Sequence, residues 1–501
     1  MTDTFWDLVV STAEEHPGRV VVADQYGRAL TTVGLRDAAE QTAAGLHITA
    51  QDVVSWQLPT VLESVVLMMA CARVGAVQNP IIPLLRTRDI RLMTSQLGST
   101  KLIVPTSWRG FDHAAMARAV AADTGVEVIT LDLERFPRDQ LSLPLQSSPQ
   151  LEPPPARDDV WRWAYYTSGT TGAAKGVRHT DASLIASSRA TSNRWGLRPS
   201  DVYPVAWPLT HVGGAIMLAS VQRAGGQLVL FDSFDPVTTS EHMARCAPTI
   251  LGTATPFFRA YIDAQRRHGA DPLYRDLRVF VAGGAATPAE IVAELSDAFP
   301  GVPLINTWGL TEFPVAASTP PSTMQAVLAA SVGSPTRGVQ ARVVNGELRL
   351  KGPQQFQGYV DPARDSEAFD ADGWFRTGDL GTVDDAGIVT ITGRLKDVII
   401  RNAENISALE IEDVLLRHPD IADVAVIGLP DRRTGERVCA VIVPVDGRHV
   451  TLETVVEQCV AEGLARQKTP AQVEIIDRLT RNAMGKVIKT ELRELIQECG
   501  R

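Results

Sequence analysis

Short apolar runs alternate with helical patterns along the first two thirds of this chain, and that alternation restricts the fold more than any other feature. Lys101–Val104, Glu127–Leu131, Gln227–Phe231 and Val279–Ala282 read as buried parallel strands. Val61–Val74 and Ala289–Phe299 between them read as helices. The pattern predicts layered α/β architecture. A chain of 501 residues also exceeds what one hydrophobic core usually supports, so more than one packing unit is expected.

From Val343 to Thr392 the texture shifts to short β-like runs broken by Gly and Asp turns. A compact strand–helix–strand unit follows Asp397, with helices expected over Glu410–His418 and Leu452–Leu464 and strands over Val424–Ile427 and Val438–Val443. The boundary falls at Gly393–Asp397. The expected organisation is therefore a large domain, 1–395, of layered α/β subdomains plus a β-rich subdomain, and a small α+β domain, 396–501. The Pro-, Ser- and Gln-rich stretch Leu143–Pro155 reads as a loop between subdomains, leading directly into a strand.

Composition removes several classes. A formal charge of −10 argues against non-specific attraction to nucleic acid, which needs a concentrated basic face. Five cysteines (Cys71, Cys246, Cys439, Cys459, Cys499) are far apart and lack metal-ligand spacing, which suits reduced thiols and a cytoplasmic location. The opening MTDTFWDLVV has no basic region followed by an apolar run, so no signal peptide is read. Val65–Val77 is interrupted by Arg73 and too short to span a bilayer, so no transmembrane segment is expected.

Residues Trp161–Lys175, WRWAYYTSGTTGAAK, join a strand to a loop dense in Ser, Thr and Gly and closed by a lysine. Such a loop suits phosphate: glycines admit the ligand close to the backbone, successive N–H groups and hydroxyls donate to its oxygens, and the lysine adds a point charge. It is not a Walker A loop, which would need Gly where Ala174 stands and Ser or Thr where Gly176 stands. Lysines are scarce here, and three of the seven (Lys175, Lys396, Lys486) fall in the motifs that matter.

YYTSGTTGAAKG resembles the phosphate loop of the adenylate-forming superfamily, in its acyl-CoA synthetase branch; the family usually has Pro where Ala174 sits. NTWGLTE (Asn306–Glu312), GWFRTGDLG (Gly373–Gly381), GRLKD (Gly393–Asp397) and RNAMGK (Arg481–Lys486) follow in the family's order. The resemblance implies ATP as substrate with Mg2+, and CoA as acceptor. It places Thr167, Ser168, Gly169, Thr170, Thr171, Gly172 and Lys175 around the phosphates. Glu312 would hold the magnesium, Thr311 would donate to the α-phosphate, and Trp308 and Gly309 would lie by adenine with Gly283, Gly284 and Ala285 at its other edge. Asp379 and Arg394 would bind the ribose, where a carboxylate offers two acceptor oxygens. Lys396 would be the hinge about which the small domain turns between half-reactions. Lys486 would reach the acyl carboxylate and α-phosphate. His211, in PLTHVGG, matches a histidine at the acyl pocket's entrance, where it either gates the pocket or only packs. Each of these residues also has a plain reading as a core aromatic, a turn aspartate or a solvated lysine, and the joint order of the motifs is what favours the functional one.

The segment Thr210–Gly214 has no Asp where amino-acid-activating relatives hold the substrate ammonium, and FDP at Phe234–Pro236 resembles acyl-CoA synthetases. The pocket candidates His211–Ala215, Thr253–Phe257, Gly283–Ala285 and Gly309–Ala317 are mostly small or apolar, which suits an uncharged fatty, alicyclic or related acyl group. NAENIS (Asn402–Ser407) corresponds to the element lining the thiol tunnel, with Glu404, Asn405 and Ile406 as the CoA candidates and Asn402 and Ala403 in place of two glycines. The rival readings are delivery of the acyl group to a carrier protein and a catalytically silent acyl- or nucleotide-binding protein. Oligomeric state is open, with a homodimer among the options.

Overall fold

The computed structural model describes residues 4–134, 140–167, 174–284, 287–323, 328, 331–401, 404–431, 433–482 and 485–499. The calls on Ser168, Gly169, Thr170, Thr171, Gly172, Ala285, Asn402 and Ala403 lie outside them.

Two sheets and their covering helices form the first layers. One runs Lys175–Thr180, Trp161–Thr167, Val77–Pro80, Val53–Trp56, Lys101–Pro105, Glu127–Leu131, parallel except for the antiparallel edge strand Lys175–Thr180. The other runs Val202–Val205, Gln227–Leu230, Val20–Asp24, Ala29–Thr31. Between them lies Leu62–Val74, buried along nearly its whole length. A helix apolar all round needs partners all round, and it packs on the helices Phe5–Glu15 and Thr32–Gly45. Its one acidic residue, Glu63, is held by Arg28 at 2.8 Å and by the Ser142 amide at 3.1 Å, so the buried charge is paired. The run expected as a helix over Val61–Val74 thus forms almost to the residue.

A third sheet follows. Ile250–Thr253, Val279–Ala282 and Leu304–Trp308 run parallel, followed by the antiparallel Ala317–Ser318 and Ser334–Pro335. The β-rich part is an antiparallel sheet of Gln340–Val344, Glu347–Lys351, Phe375–Val383 and Val389–Arg394 over its own apolar cluster around Phe313, Phe356 and Phe375.

The C-terminal domain is separate. Ile421–Asp431 and Gly435–Pro444 form a long hairpin, joined by Val398–Arg401, Glu404–Ser407 and Gln472–Ile475. Alternation along the hairpin gives two apolar faces. Val424 and Val426 pack under the helices Ala408–Leu415 and Leu452–Ala461. Ala425, Ile427 and Leu429 pack under Lys489–Cys499.

Several boundaries differ from expectation, among them the two helices of the small domain, which end at Leu415 and Ala461 rather than His418 and Leu464. The first helix of this domain begins at Ala408 rather than Glu410 because Ser407 caps it, accepting from the Glu410 amide at 3.4 Å. The strands run longer because hairpin pairing continues to Asp431 opposite Gly435. The loop Leu143–Pro155 does not lead directly into a strand, since Trp161 opens the next one. Among the described residues, no helix is long and apolar enough to cross a membrane.

Candidate active site

The antiparallel register of Trp161–Thr167 with Lys175–Thr180 puts Lys175 opposite Thr167. The two ends of the Ser/Thr/Gly loop are therefore pinned side by side. Gly176, just after the lysine, has no room for a side chain: a Cβ would come 2.7 Å from Val360 and 2.9 Å from the Tyr166 ring. That close approach lets Val360 donate to the Gly176 carbonyl at 2.7 Å, so a second segment lies along the return strand.

The aspartate of TGD lies across a β-ladder from its arginine. Register places Asp379 opposite Arg394, and Arg394 Nε lies 2.7 Å from Asp379 Oδ1. Trp308 donates its indole N–H to Oδ2 at 2.9 Å. Asp379 is 1% exposed, with the Arg394 guanidinium beside Oδ1 and the indole N–H on Oδ2. A buried carboxylate is costly unless its oxygens are partnered. Trp308 is itself largely buried among Phe313 and Leu348, so its indole serves the carboxylate as well as the core.

Gly283 and Trp308 come from neighbouring parallel strands, at the carboxyl ends where ligands bind in open α/β sheets. Gly283 donates to the Thr253 carbonyl at 2.8 Å, and Gly284 has φ +83°, the left-handed region. Gly309 sits where a Cβ would be 2.5 Å from the Val315 nitrogen, so the turn after Trp308 requires glycine.

Lys486 arrives from the other domain on a tied turn. Asn482 donates its amide to the Lys486 carbonyl at 2.8 Å, and the Lys486 amide returns to Asn482 Oδ1 at 3.0 Å. Arg481 donates to the Gly485 carbonyl at 2.6 Å and to Asp423 at 2.6 Å. Gly485 has φ +78°, and a Cβ there would lie 3.2 Å from the Pro256 ring at the start of the helix Thr255–His268. The turn therefore meets the large domain. Lys486 is half-buried, and its amine is pushed down to about 8, first by burial and then by Arg394 and Lys396, against the pull of Asp379 and Asp397. Residues far apart in sequence thus share one electrostatic neighbourhood. Lys396 lies on the exposed turn Leu395–Asp397 beside them, with its amine lowered by desolvation and by Arg394.

Glu312 and Thr311 are fixed by two residues that sequence reasoning missed. His179, fully buried, donates Nε2–H to the Thr311 carbonyl at 2.6 Å, while its Nδ1 meets the Ser183 hydroxyl at 2.9 Å. Burial pushes the imidazole down to about 4, so it is neutral. Tyr359 donates its hydroxyl to Glu312 Oε1 at 2.9 Å. His179 lies four residues beyond Lys175, and inward alternation with Val177 along that strand is a signal that could have found it. Tyr359 has no comparable local signal.

His211 caps the helix Val212–Ala224, with Nδ1 accepting from the Gly213 amide at 3.2 Å. Burial pushes it down to about 4. It lines a small cavity with Thr210, Tyr166, Met93, Ile82 and Thr311, so the histidine is brought next to the Thr-Glu pair. Phe257 of the pocket segment Thr253–Phe257 packs on Phe234 with ring centroids 4.3 Å apart.

For the segment Asn402–Ser407 the expectation differs at one residue. Glu404 and Asn405 belong to the strand Glu404–Ser407, but their side chains lie outside the described residues. Ile406 is 1% exposed within the small domain's core, so its side chain is not offered to CoA. Alternation along the strand turns it inward.

Comparison with known proteins follows from this geometry. The family model for AMP-binding enzyme matches residues 9–360, and that for the AMP-binding enzyme C-terminal domain matches 410–486. The chain belongs to the AMP-binding enzyme family. Within that family it falls in the acyl-CoA synthetase branch of adenylate-forming enzymes, the AMP-forming acid–thiol ligases. It is 30% identical to a medium-chain fatty-acid–CoA ligase of Escherichia coli, over 97% of this chain and 89% of that one. A sulfoacetate–CoA ligase of Cupriavidus necator is 31% identical, over 98% and 97%. Among solved structures, ATP-bound MatB from Rhodopseudomonas palustris is similar with a TM-score of 0.86 and 27% identity, covering 99% of this chain and 100% of that one.

Proposed function

We propose that this AMP-binding enzyme activates a small carboxylic acid with ATP and passes the acyl group to CoA, in two half-reactions at one site. A carboxylate oxygen attacks the α-phosphorus of ATP, pyrophosphate leaves, and acyl-AMP forms. The CoA sulfur, deprotonated, then attacks the acyl carbonyl and AMP leaves. The observation that carries this reading is the convergence of Lys486 with Asp379 and Arg394 from opposite ends of the fold's second half. A cation beside the reacting phosphate balances charge that develops as the carboxylate attacks.

Roles follow from placement. Thr167 and Lys175 flank the phosphate loop, and Asp379 meets the ribose with its carboxylate while Arg394, paired with Oδ1 at 2.7 Å, holds it from beside. Trp308, with Gly309, and the Gly283–Gly284 turn border adenine. Thr311, fixed at its carbonyl by His179, faces the α-phosphate. Glu312 fits a magnesium ion brought with ATP: Oε1 is taken by Tyr359, which leaves Oε2 as a single hard donor, and Mg2+ takes few protein ligands. When bound, that ion neutralises phosphate charge.

The domain boundary lies at Gly393–Asp397 with Lys396 as hinge, between the last apolar residue of the β-rich cluster, Ile391, and the first of the small domain, Ile399. The thiol would pass the backbone of Glu404–Ile406 after the domain turns. His211 borders the acyl group, and the apolar lining favours a fatty, alicyclic or related acid. The acids in the relatives' names range from medium-chain fatty acid to sulfoacetate, so family membership leaves that choice open.

A panel of apolar and polar acids, read by ATP-dependent pyrophosphate release and then by thioester formation with free CoA, tests the proposal. Apolar acids should give the highest kcat/KM. Pyrophosphate release without a CoA thioester would favour a carrier protein as acceptor, and no release with any acid would favour a silent binding protein.

A further inference from the structure

Tyr359 touches both Glu312 and Lys175 and takes no direct part in the proposed bond-making. Tyr359 belongs to an extended segment laid along the return strand of the phosphate loop. Gln357 donates to the Arg178 carbonyl at 2.9 Å, Arg178 to Gly358 at 3.0 Å, and Val360 to Gly176 at 2.7 Å, so Tyr359 bridges to Val177. Its own amide donates to Asp365 Oδ1 at 2.7 Å. The neighbouring Phe356 amide donates to the Glu312 carbonyl at 3.0 Å, tying the same segment to the Thr-Glu pair. The ring is 5% exposed and meets Phe356 edge-on with centroids 5.0 Å apart. Backbone and packing thus hold this side chain without freedom to turn.

Two reactive parts of the site meet on that ring. Its hydroxyl donates to Glu312 Oε1 at 2.9 Å. Its face lies under Lys175, with Nζ 5.5 Å from the centroid, within range of a cation–π contact. A carboxylate offers two equivalent oxygens and a free rotation, so an unheld Glu312 would present either one to a cation. With Oε1 engaged by the phenol, Oε2 is the oxygen left to face it.

We propose that Tyr359 is the positioning residue that couples the phosphate-loop lysine to the magnesium-binding glutamate, orienting Glu312 through its hydroxyl and Lys175 through its ring. The proposal rests on the reading of Glu312 as the residue that meets the cation brought with ATP. It divides Tyr359 into two separable functions. The hydroxyl acts on the metal dependence of nucleotide binding, and the ring acts on the nucleotide whether or not metal is present.

Calorimetric titration of ATP into the full chain, with magnesium and with EDTA, tests both. Magnesium should strengthen ATP binding to the unaltered protein. Tyr359→Phe keeps the ring, so affinity in EDTA should hold while the gain from magnesium shrinks about five- to tenfold, in line with loss of one hydrogen bond to a charged group. Tyr359→Leu removes both, so affinity in EDTA should fall as well. Glu312→Gln should abolish the magnesium gain. Glu312→Asp draws the carboxylate back from the phenol, so adding Tyr359→Phe to it should change the gain little further.

The failures separate. An unchanged magnesium gain in Glu312→Gln overturns the reading of Glu312, and the proposal with it. A lost gain there beside an intact one in Tyr359→Phe overturns the role of Tyr359 alone. Equal weakening with and without magnesium in Tyr359→Phe marks a merely structural hydroxyl and also overturns it. Should Tyr359→Phe melt early, the Glu312→Asp pair decides: independent losses there refute the coupling.

Discussion

Asp379 and Lys486 share one electrostatic neighbourhood but are held in opposite ways. Asp379 is enclosed, with Trp308 and Arg394 on its carboxylate and a β-ladder behind it. Lys486 stands on a turn tied internally by Arg481 and Asn482, whose Gly485 meets the large domain at the ring of Pro256. One group belongs to the large domain's own fabric, and the other is brought by a separate unit. A site assembled this way can keep its nucleotide contacts while it changes the group that faces the acyl carbon.

The largest test of that contrast is Lys486→Ala. Acyl-adenylate formation should fall about 100-fold or more, as for loss of a preorganised charge, while thiol transfer from supplied acyl-adenylate is largely kept. Equal loss in both half-reactions would end the division of labour. Lys396→Pro comes next, since proline fixes φ near about −65° and removes a donor. Single-turnover pyrophosphate release should persist while transfer to CoA drops by roughly tenfold or more, an estimate scaled to a blocked conformational step. A normal thiol step would place the hinge elsewhere.

Asp379→Ala removes a contact that the small domain does not control. ATP affinity should weaken about tenfold, the size expected for hydrogen bonds to a charged group, with acid affinity little changed in separate titrations. An unaltered ATP affinity would defeat the ribose assignment.

Acidity sharpens the same contrast. The Lys486 ammonium is destabilised in the folded enzyme, and its pKa of about 8 means that the charged form dominates below that pH and is lost as pH rises through it. The rate of adenylation should therefore decline on the alkaline side of about pH 8, and Lys486→Arg should remove that limb from the profile. The smallest effect is expected for Gly485→Ala. A side chain at φ +78° beside Pro256 costs on the order of 1 kcal/mol, which should slow adenylation a few-fold and leave the thiol step unchanged.

The motifs were legible in sequence because each is local. A Ser/Thr/Gly loop after a strand, a Thr-Glu pair and a lysine after Gly485 carry their chemistry in consecutive residues. The α/β layering and the buried Leu62–Val74 helix were legible for the same reason, as periodicity is local too. Pairings across the chain were not. Nothing near Trp308 announces that its N–H serves Asp379, and Tyr359 reaches Glu312 only because Gly176 admits a neighbouring segment. Ile406 shows the converse error, since a motif names a stretch of chain while strand alternation decides which side chains it offers.

The first helix carries a consequence for the order in which the molecule is made. Its opening residue, Phe5, donates its amide to Asp181, 176 positions further along, and the other oxygen of that carboxylate receives Trp163 at 2.6 Å. The Thr4–Asp7 capping box can start the helix alone, but its pairing with Asp181 must await residues synthesised much later. At ~5–20 residues per second, ribosomal elongation leaves the Phe5 amide without Asp181 for roughly ten seconds or more, although Thr32–Gly45 and Leu62–Val74 reach that helix sooner. The strand Trp161–Thr167 and the helix Phe5–Glu15 thus share, through Asp181, a contact of high sequence separation, the kind that slows folding.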